Sequence, residues 1–551
     1  MILSGIKLFQ LFIISFKKFH AMKKVIIRLL ALIITTVTVL SGCQAPAGSQ
    51  KKNDTGEWLV EMTISELQQG YRDQKFSVTD VTSAYIDRII AIDMNGPALN
   101  SVIKINPDAM KIADELDKEM AEGKIRGPLH GVPVILKDNI DTKDNMPTTA
   151  GATVLRDSYV KNDSYIAAKL REAGAVIIAK SNLSEWANFR AAVSSSGWSG
   201  VGGQTRNPYV LDRNPCGSSS GSGVAVSANL CMVAVGTETD GSIVCPSNNC
   251  GVVGIKPTVG LLSRTGIIPI SFTQDTPGPM CRTVEDAAIC LGAMTGIDPL
   301  DAKTLASEGK FLNDYTKALK MDGLKGKRIG IVKNSGGFND RVDTLMLRAI
   351  KVMEKSGAVL IEVEPPAKKE YEVAEYQVLL YEFKDGLNKY FAGLGENAPV
   401  RNVNELIEFN KRDSVELQYF DQKILIEAAG KADLTSHEYL EALEKCRNAT
   451  RTEGIDKMMD GGKLDAIIMP TGAPAWKTDM LLGDHYVGGT SSLAAIAGYP
   501  SITVPMGFVD NLPVGITFAG RAWSEPMLIE IAFSFEQATR HRKAPKYLVT
   551  D

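Results

Sequence analysis

Histidine is scarce in this chain, and its scarcity limits the chemistry that the sequence can support. The 551 residues include five histidines, and none of them lies in a metal-ligand spacing such as HExxH. No GxSxG elbow stands between a predicted strand and a predicted helix, so a Ser–His–Asp triad is a weak alternative that stays open. We therefore expect no metal site and no metal or organic cofactor. For His130, which precedes a short apolar strand, we expect a structural role.

Basic runs are also absent beyond the N-terminus. Lys and Arg together number 61 and Asp and Glu together number 64, which leaves a formal net charge of −3. Proteins that bind nucleic acid carry a basic patch or stripe, so we expect no nucleic-acid partner. The chain has no internal repeat, and its composition leaves the oligomeric state open.

Cysteine is too sparse to build a disulfide framework in a chain of this length. Seven cysteines follow Cys43, and six of them lie among apolar residues between positions 216 and 290. We therefore predict that all seven are buried free thiols. A thiol nucleophile at Cys216 or Cys245 is a weaker alternative, because neither has an obvious basic partner.

Two serines in glycine-rich turns are the strongest positive signal. Ser218 lies in the segment CGSSSGSG and Ser242 in the segment TETDGSIVCP, with an apolar segment through Val233 and Val235 between them. Glycine beside a serine lets the backbone turn sharply and approach a ligand. Such a turn can aim several N–H groups at one point, as an oxyanion requires. The apolar surroundings indicate that these turns are buried. Ordinary surface loops, which are often rich in glycine and serine, are the alternative.

A lysine ends a short apolar strand in the upstream segment GVPVILKD. Val134, Ile135 and Leu136 precede Lys137 in a pattern typical of a buried strand. A buried lysine is costly unless it is paired or neutral, so Lys137 is a candidate base. This segment by itself is also typical of an exposed lysine at the end of a strand, and that alternative stays open.

Together these segments resemble the amidase signature family of serine hydrolases. The likeness extends from about Thr63 to the C-terminus and includes GVVGIKPTVG, AAIAGYPSITVPMG and LPVGITFAG. Within the family the chain is most similar to bacterial peptide amidases, through IVCP after Ser242 and GIIPISFTQDTPGP at 266–279. The resemblance implies an α/β amidase signature fold, in which helices cover both faces of a central mixed β-sheet. It also implies a hydrolase that acts on linear amides.

The resemblance further implies a Ser–Ser–Lys triad. Ser242 would be the nucleophile that forms the acyl-enzyme, Ser218 the bridging serine and Lys137 the base. The family's cis peptide bond maps to Gly217–Ser218. Its oxyanion hole maps to four backbone N–H groups, those of Thr239, Asp240, Gly241 and Ser242. A free lysine has a pKa of about 10.4, so Lys137 can act as a base only if burial lowers that pKa.

Alternating helix and strand patterns predict an α/β catalytic domain over residues 58–551. Capping boxes predict helix starts at Thr63–Glu66 and Ser77–Asp80. Strands are predicted at Ser101–Ile105, Ala175–Ala179, Ile329–Val332, Ala358–Val363, Asp465–Met469 and Ser501–Val504, and further helices at Pro107–Glu122, Ser164–Ala173 and Val342–Lys355. Residues 367–462 are charged and helical in pattern, and we expect them to form a cap that sets the substrate. Gln274, Asp275 and Thr276 are candidates to lie near the cleft, with a structural role in a loop as the alternative.

The N-terminus predicts export and lipidation. A charged segment leads into the apolar run Leu29–Leu40, and the sequence LSGC at Leu40–Cys43 resembles a bacterial lipobox. We therefore expect residues 1–43 to be a lipoprotein leader, with lipid on Cys43, and residues 44–57 to be a flexible tether. The mature protein would be anchored to the outer face of the bacterial cell membrane. A plain membrane anchor or a buried helix is the alternative, and the true translation start, Met1 or Met22, stays open.

The predicted reaction is hydrolysis of a linear carboxamide to carboxylate and ammonia, with C-terminal peptide amides as candidate substrates. One alternative is a glutamine-dependent tRNA amidotransferase A-like subunit. It is opposed by export and by Val244, because those subunits carry arginine two residues after the nucleophile. A catalytically silent, solute-binding surface lipoprotein is the other alternative. It is opposed by the complete set of Lys137, Ser218 and Ser242, which a binding protein does not need.

Overall fold

An eleven-stranded sheet lies at the centre of the fold. The computed structural model describes residues 56–550. In chain order, its strands are β1 (Val102–Ile105), β2 (Pro133–Lys137), β3 (Val176–Ser181), β4 (Trp198–Ser199), β5 (Gly203–Gln204), β6 (Val233–Glu238), β7 (Val253–Lys256), β8 (Thr276–Cys281), β9 (Arg328–Val332), β10 (Val359–Val363), β11 (Ala466–Pro470), β12 (Ser501–Val509) and β13 (Leu512–Ala519). The order across the sheet is β1-β3-β2-β6-β8-β7-β12-β13-β11-β9-β10, and β4 pairs with β5 in a separate ribbon.

The sheet is mixed, and its central strands are buried on both faces. Strand β2 runs parallel to β3 and β6, whereas β8 runs antiparallel to β6 and β7. Every residue of β2, β3, β6, β7, β8, β11 and β13 is buried. Strands with no exposed residue need a cover on each face, and helices supply it.

Fifteen α-helices are present in the described part of the chain. They are α1 (Ile64–Arg72), α2 (Val78–Arg88), α3 (Ala109–Ala121), α4 (Tyr165–Glu172), α5 (Ser220–Ser227), α6 (Val244–Asn249), α7 (Val284–Met294), α8 (Asp340–Lys355), α9 (Glu372–Gly393), α10 (Val403–Asn410), α11 (Lys423–Ala429), α12 (His437–Arg447), α13 (Lys457–Gly462), α14 (Ser492–Ala497) and α15 (Glu525–Thr539). Two π-helical segments, Ile89–Asn95 and Asn448–Asp456, extend α2 and join α12 to α13.

The predicted α/β architecture with a mixed sheet is confirmed, and local sequence signals explain where several elements begin. Both capping boxes form. The Thr63 hydroxyl accepts from the Glu66 N–H, and the Glu66 carboxylate accepts from the Thr63 N–H. Ser77 and Asp80 make the same pair of hydrogen bonds at the start of α2. Each pair satisfies two N–H groups that a helix start leaves free. The predicted strands and helices all form, with ends that differ from the predicted ones by a few residues.

Strand order brings the candidate residues to one edge of the sheet. Strands β2 and β6 are parallel neighbours, with Leu136 opposite Val235. Their carboxyl ends therefore meet at the same edge, which is where open α/β sheets bind ligands. Lys137 is the last residue of β2, and the turn Thr239–Ser242 follows β6 directly.

The segment from α9 to α13 packs on this edge through carboxylates of α9. The Ser271 hydroxyl donates to Glu382 at 2.5 Å, and the Thr273 N–H donates to the same carboxylate at 3.1 Å. The Gln274 amide donates to Glu375 at 2.8 Å. The loop before β8 is thereby tied to a helix about a hundred residues later in the chain, and the proposed role of 367–462 as a substrate-setting cap stays a prediction.

The predicted leader, residues 1–43, and most of the predicted tether, residues 44–57, lie outside the described residues. Of the tether, Gly56 and Glu57 are described, and Glu57 begins a short 3-10 helix, Glu57–Leu59. Between residues 56 and 550, no helix has both the length and the apolar character needed to cross a bilayer.

Gly278 offers a test of how tightly the sheet is packed. A Cβ atom added at this position of β8 would overlap the carbonyl oxygen of Ile255 on β7. Because backbone on a central strand cannot move aside cheaply, Gly278→Ala should destabilise the protein by about 1–3 kcal/mol. Gly393→Ala is the matched control, since a Cβ there meets no atom within 4 Å. Thermal unfolding should show a lowered midpoint for Gly278→Ala alone; equal midpoints would contradict the packing argument.

Candidate active site

Lys137 is a fully buried amine at the carboxyl end of β2. Its Nζ lies 2.8 Å from the Ser218 hydroxyl, 2.9 Å from Thr237 Oγ1 and 3.2 Å from the Thr237 carbonyl oxygen. Burial lowers the pKa of this amine to about 7, although the nearby carboxylates of Asp275 and Glu238 act in the opposite direction. Lys137 can therefore be neutral near physiological pH, as a proton acceptor must be.

Ser218 lies in a turn that other segments hold closely. The Gly217–Ser218 peptide bond is cis, and the Ser218 carbonyl oxygen accepts from the Ser184 N–H at 3.1 Å. A Cβ at Gly217 would overlap the Ser184 hydroxyl, so only glycine fits there without a shift. Helix α5 begins at Ser220 and carries the chain away from this turn.

Ser242 lies in the connection between β6 and α6, next to the turn of Ser218. The Ser219 N–H donates to the Ser242 carbonyl oxygen at 3.1 Å, which joins the two serine turns. Glu238 fixes the other end of the connection, because its carboxylate accepts from the N–H groups of Ile243 and Val244 at 2.8 and 3.0 Å. Gly241 has a φ of 79°, and a Cβ there would lie 2.9 Å from the Ser491 hydroxyl.

Three N–H groups of this connection have no acceptor in the described structure. Those of Asp240, Gly241 and Ser242 donate to no acceptor within residues 56–550. Ser242 is 7% exposed, so these donors lie at the edge of the buried region. A developing oxyanion requires N–H donors that are not already bonded.

Gln274 and Asp275 hydrogen-bond to Thr239, at the start of the turn that contains Ser242. The Thr239 hydroxyl donates to Asp275 at 2.5 Å, and the Gln274 amide donates to the Thr239 carbonyl oxygen at 3.3 Å. The same amide of Gln274 reaches Glu375. Thr276, the third residue of the predicted trio, begins β8 and bonds to the next carbonyl oxygen of its own strand. Gln274 and Asp275 therefore lie near the Ser242 turn and also have a structural role.

A pair of buried acids adjoins the same turn. Burial raises the pKa of Asp240, which accepts from the Ser491 hydroxyl at 2.5 Å. Burial also raises the pKa of Glu375 well above its usual range, and the negative charge of Asp240 adds to that effect. Two close carboxyl groups cannot both ionise cheaply, which is why the charge of Asp240 adds to the raised pKa of Glu375. Glu375 is a residue that sequence patterns did not single out.

The prediction of free thiols is wrong for Cys216 and Cys245, which form a disulfide with Cα atoms 5.9 Å apart. Sequence patterns missed the pair because the low cysteine count argued against any bridge. The bond also removes both residues as thiol nucleophiles. The remaining described cysteines are free and buried, as predicted; they are Cys231, Cys250, Cys281, Cys290 and Cys446.

No histidine within residues 56–550 hydrogen-bonds to Lys137, Ser218 or Ser242. His130 is buried under α3, where its Nε2 lies 3.1 Å from the Leu116 carbonyl oxygen and its Nδ1 accepts from the Arg126 N–H at 3.2 Å. Both ring nitrogens therefore serve local structure. His437 and His485 lie near carboxylates of Glu441 and Asp479 on the protein surface.

A cavity of about 490 Å³ opens beside the serine turns. Gly217, Asp240, Gly241 and the Cys216–Cys245 bridge form one side of it. Segments distant in sequence form the other sides, and sequence patterns gave no signal for them; their lining residues are Asn188, Ala191, Ala192, Val193, Ser194, Ser196, Ile424, Trp476, Leu482, Asp484, Tyr486, Ser491 and Ser492. Among the described residues of this lining there is no Lys, Arg or His.

Asp484 holds two of these distant segments together. Its carboxylate accepts from the N–H and the hydroxyl of Ser196, at 3.0 and 2.6 Å, from the Trp476 indole at 3.1 Å and from the Asn214 amide at 3.2 Å. The carboxylate is therefore well satisfied by neutral donors. It gives the cavity a second acidic group beside Asp240.

Comparison with known proteins identifies the family. The Amidase family model matches residues 80–529. A probable amidase of Arabidopsis thaliana is 41% identical over 501 residues, which cover 89% of this chain and 92% of that protein. The native peptide amidase of Stenotrophomonas maltophilia, a solved structure, is 48% identical with a TM-score of 0.85, and the match covers 88% of this chain and 99% of that one. The glutamyl-tRNA(Gln) amidotransferase A subunit of Alkaliphilus metalliredigens is 33% identical over 496 residues, which cover 87% of this chain and 96% of that protein. Fold, sequence and family model agree, and the chain therefore belongs to the amidase family of amide-hydrolysing enzymes.

Proposed function

We propose that this enzyme hydrolyses linear carboxamides, with C-terminal peptide amides as the substrate class, through an acyl-Ser242 intermediate. The observation that carries the proposal is the buried Lys137 amine, which lies 2.8 Å from the Ser218 hydroxyl in the turn beside Ser242. A silent binding protein has no use for such an amine, and family membership also opposes that alternative.

The proton path follows from the contacts of Lys137. A neutral amine has two N–H groups, which can donate to Thr237 Oγ1 and to the Thr237 carbonyl oxygen. Its lone pair then faces the Ser218 hydroxyl. As the Ser242 oxygen attacks the amide carbon, its proton passes to Ser218 and the Ser218 proton passes to Lys137.

Collapse of the tetrahedral intermediate breaks the carbon–nitrogen bond. The proton held by Lys137 returns through Ser218 to the leaving nitrogen, which departs as ammonia. Water then attacks the ester by the same relay and frees the carboxylic acid. In both steps the N–H groups of Thr239, Asp240, Gly241 and Ser242 stabilise the oxyanion, and loss of one such donor typically costs about a hundred-fold or more in rate.

The cavity supports a substrate without a carboxylate near the scissile amide. Its lining combines apolar side chains, such as Ile424, Trp476 and Leu482, with the acidic groups of Asp240 and Asp484. An anionic substrate would meet like charge and no basic partner. The likeness to a peptide amidase supports the same choice. Ile424 belongs to the segment 367–462, which supports a role of that segment in setting the substrate.

The amidotransferase alternative has one observation in its favour, the similarity to such an enzyme over most of the chain. That reaction uses glutamine, whose α-carboxylate needs a basic partner. Val244 and the acidic cavity lining offer none. Glutamine as a substrate therefore separates the two proposals.

We also propose that the mature protein is exported and carries lipid on Cys43. The lipobox sequence supports this, and so does the Cys216–Cys245 disulfide, because such bonds persist in oxidising compartments. One acyl chain alone binds membranes reversibly, so a diacylated cysteine would be needed for stable anchoring.

Substitution of Ser242 and Lys137 tests the reaction. Ser242→Ala should abolish ammonia release from a peptide amide and labelling by a fluorophosphonate. Lys137→Met, which keeps the apolar stem without the amine, should lower the turnover number by about a hundred-fold to ten-thousand-fold. Ser247→Ala is the control, because the buried Ser247 hydroxyl has no hydrogen-bond partner in the described structure. Full labelling of Ser242→Ala, or preference for glutamine over the peptide amide, would refute the proposal.

The activity should fall at acid pH, because Lys137 takes up a proton there. Because the amine has a pKa of about 7 and must be neutral to act, kcat/KM should rise with pH through about 7 and then level off. The Asp275 carboxylate raises the Lys137 pKa, so Asp275→Asn should move this rise to lower pH. Initial rates on a neutral peptide amide between pH 5 and 9 measure the shift. A rise that stays in place in Asp275→Asn would show that Lys137 does not set the profile.

Lipidation is tested in growing bacterial cells. Labelled palmitate should enter the full-length protein and should not enter Cys43→Ala, because no other position supplies the lipobox cysteine. Cell fractionation should move the variant from the membrane to the soluble fraction. Label and membrane binding that persist in Cys43→Ala would make the lipobox interpretation wrong.

A further inference from the structure

The Cys216–Cys245 bond joins the two turns that carry the candidate catalytic serines. Cys216 lies two residues before Ser218, and Cys245 lies three residues after Ser242 in the first turn of α6. The bond therefore links the chain beside the candidate bridging serine to the chain beside the candidate nucleophile, at a sequence separation of 29 residues. A link at this place fixes the distance on which proton transfer between the serines depends.

Other contacts join the same turns on their buried side. The Ser219 N–H donates to the Ser242 carbonyl oxygen at 3.1 Å, and the Ser219 hydroxyl donates to the Thr237 carbonyl oxygen at 3.0 Å. Ser219 is fully buried. Both cysteines of the bridge instead line the cavity. Loss of the bridge would therefore loosen the cavity edge of the two turns while their buried contacts hold the fold.

The bridge is also the sulfur group that a reductant can reach. Cys216 is 5% exposed and Cys245 is partly exposed, and both face the cavity of about 490 Å³. Each free cysteine within residues 56–550 is at most 2% exposed. A small dithiol that enters the cavity can attack the bridge by thiol–disulfide exchange, giving two protein thiols and one oxidised, cyclic dithiol.

We propose that Cys216 and Cys245 are positioning residues of the acyl-transfer site and that reduction of their bond by a dithiol reversibly lowers turnover. The proposal rests on the proposed role of Ser242. Catalytic groups displaced by about 1 Å can lose about a hundred-fold in rate. The loss should fall on kcat and on the rate of Ser242 phosphonylation, because both require the relay. KM should change little, because the rest of the cavity lining stays in place.

The test treats the purified, folded enzyme with dithiothreitol and follows three quantities. Alkylation and mass spectrometry should find two new thiols, on Cys216 and Cys245, with the five buried cysteines unmodified. Fluorophosphonate labelling and kcat should fall together by about tenfold to a hundred-fold. Reoxidation before alkylation should restore both. Circular dichroism during the treatment should show a folded protein.

Variants complete the experiment. The double variant Cys216→Ser and Cys245→Ser should match the reduced enzyme in kcat and should not respond to dithiothreitol. Cys446→Ala, which removes a buried free thiol of α12, should keep the full response. Unchanged kcat with both thiols exposed would overturn the proposal, and so would unfolding on reduction. Absence of Ser242 labelling in the oxidised enzyme would instead refute the proposed function, so the two failures are distinct.

Discussion

The contact between the Lys137 amine and the Ser218 hydroxyl is the interaction on which the rest of the site depends. A charged ammonium is expensive in a site without water, and the three contacts of Lys137 are with uncharged oxygens of Ser218 and Thr237. Asp275 and Glu238 act from a greater distance and keep the pKa from falling further. The balance leaves the amine near neutrality at physiological pH, which is where a general base is most effective. A histidine is not needed for this chemistry.

The turn that contains Ser242 is held by side chains that bond to its backbone. Glu238 accepts from the two N–H groups that follow Ser242, and Gln274 donates to the carbonyl oxygen of Thr239. These bonds use groups at both ends of the turn and leave the N–H groups of its centre for a substrate. Preorganised donors of this kind need no rearrangement as charge develops. The buried carboxyl of Glu375 accepts from the Gln274 amide, which also donates to Thr239, so hydrogen bonds connect α9 to the same turn.

The proposed substrate class rests on the charge of the cavity as well as on its size. A volume of about 490 Å³ admits many small amides. Under that proposal, the acidic groups of Asp240 and Asp484 would repel a substrate carboxylate. Repulsion of this kind is one of the two ways in which a site gains specificity. Burial raises the pKa of Asp484, and the hydrogen bonds from Ser196 and Trp476 act in the opposite direction.

Sequence alone determined the class of fold, the family and the local elements, because these depend on neighbouring residues. Periodicity places β2 and β6, and capping side chains place the starts of α1 and α2. Motifs also single out Lys137, Ser218 and Ser242. Tertiary structure alone decided three other features. They are the pairing of Cys216 with Cys245, the approach of Glu375 to Asp240 and the cavity wall around Asp484. Each joins segments whose distance depends on the order of strands in the sheet and on long connections between them. A low cysteine count does not show whether any two cysteines lie close enough to bond. The Cα atoms of Cys216 and Cys245 lie 5.9 Å apart, within the range of a disulfide, because the turns before α5 and after β6 meet at one edge of the sheet.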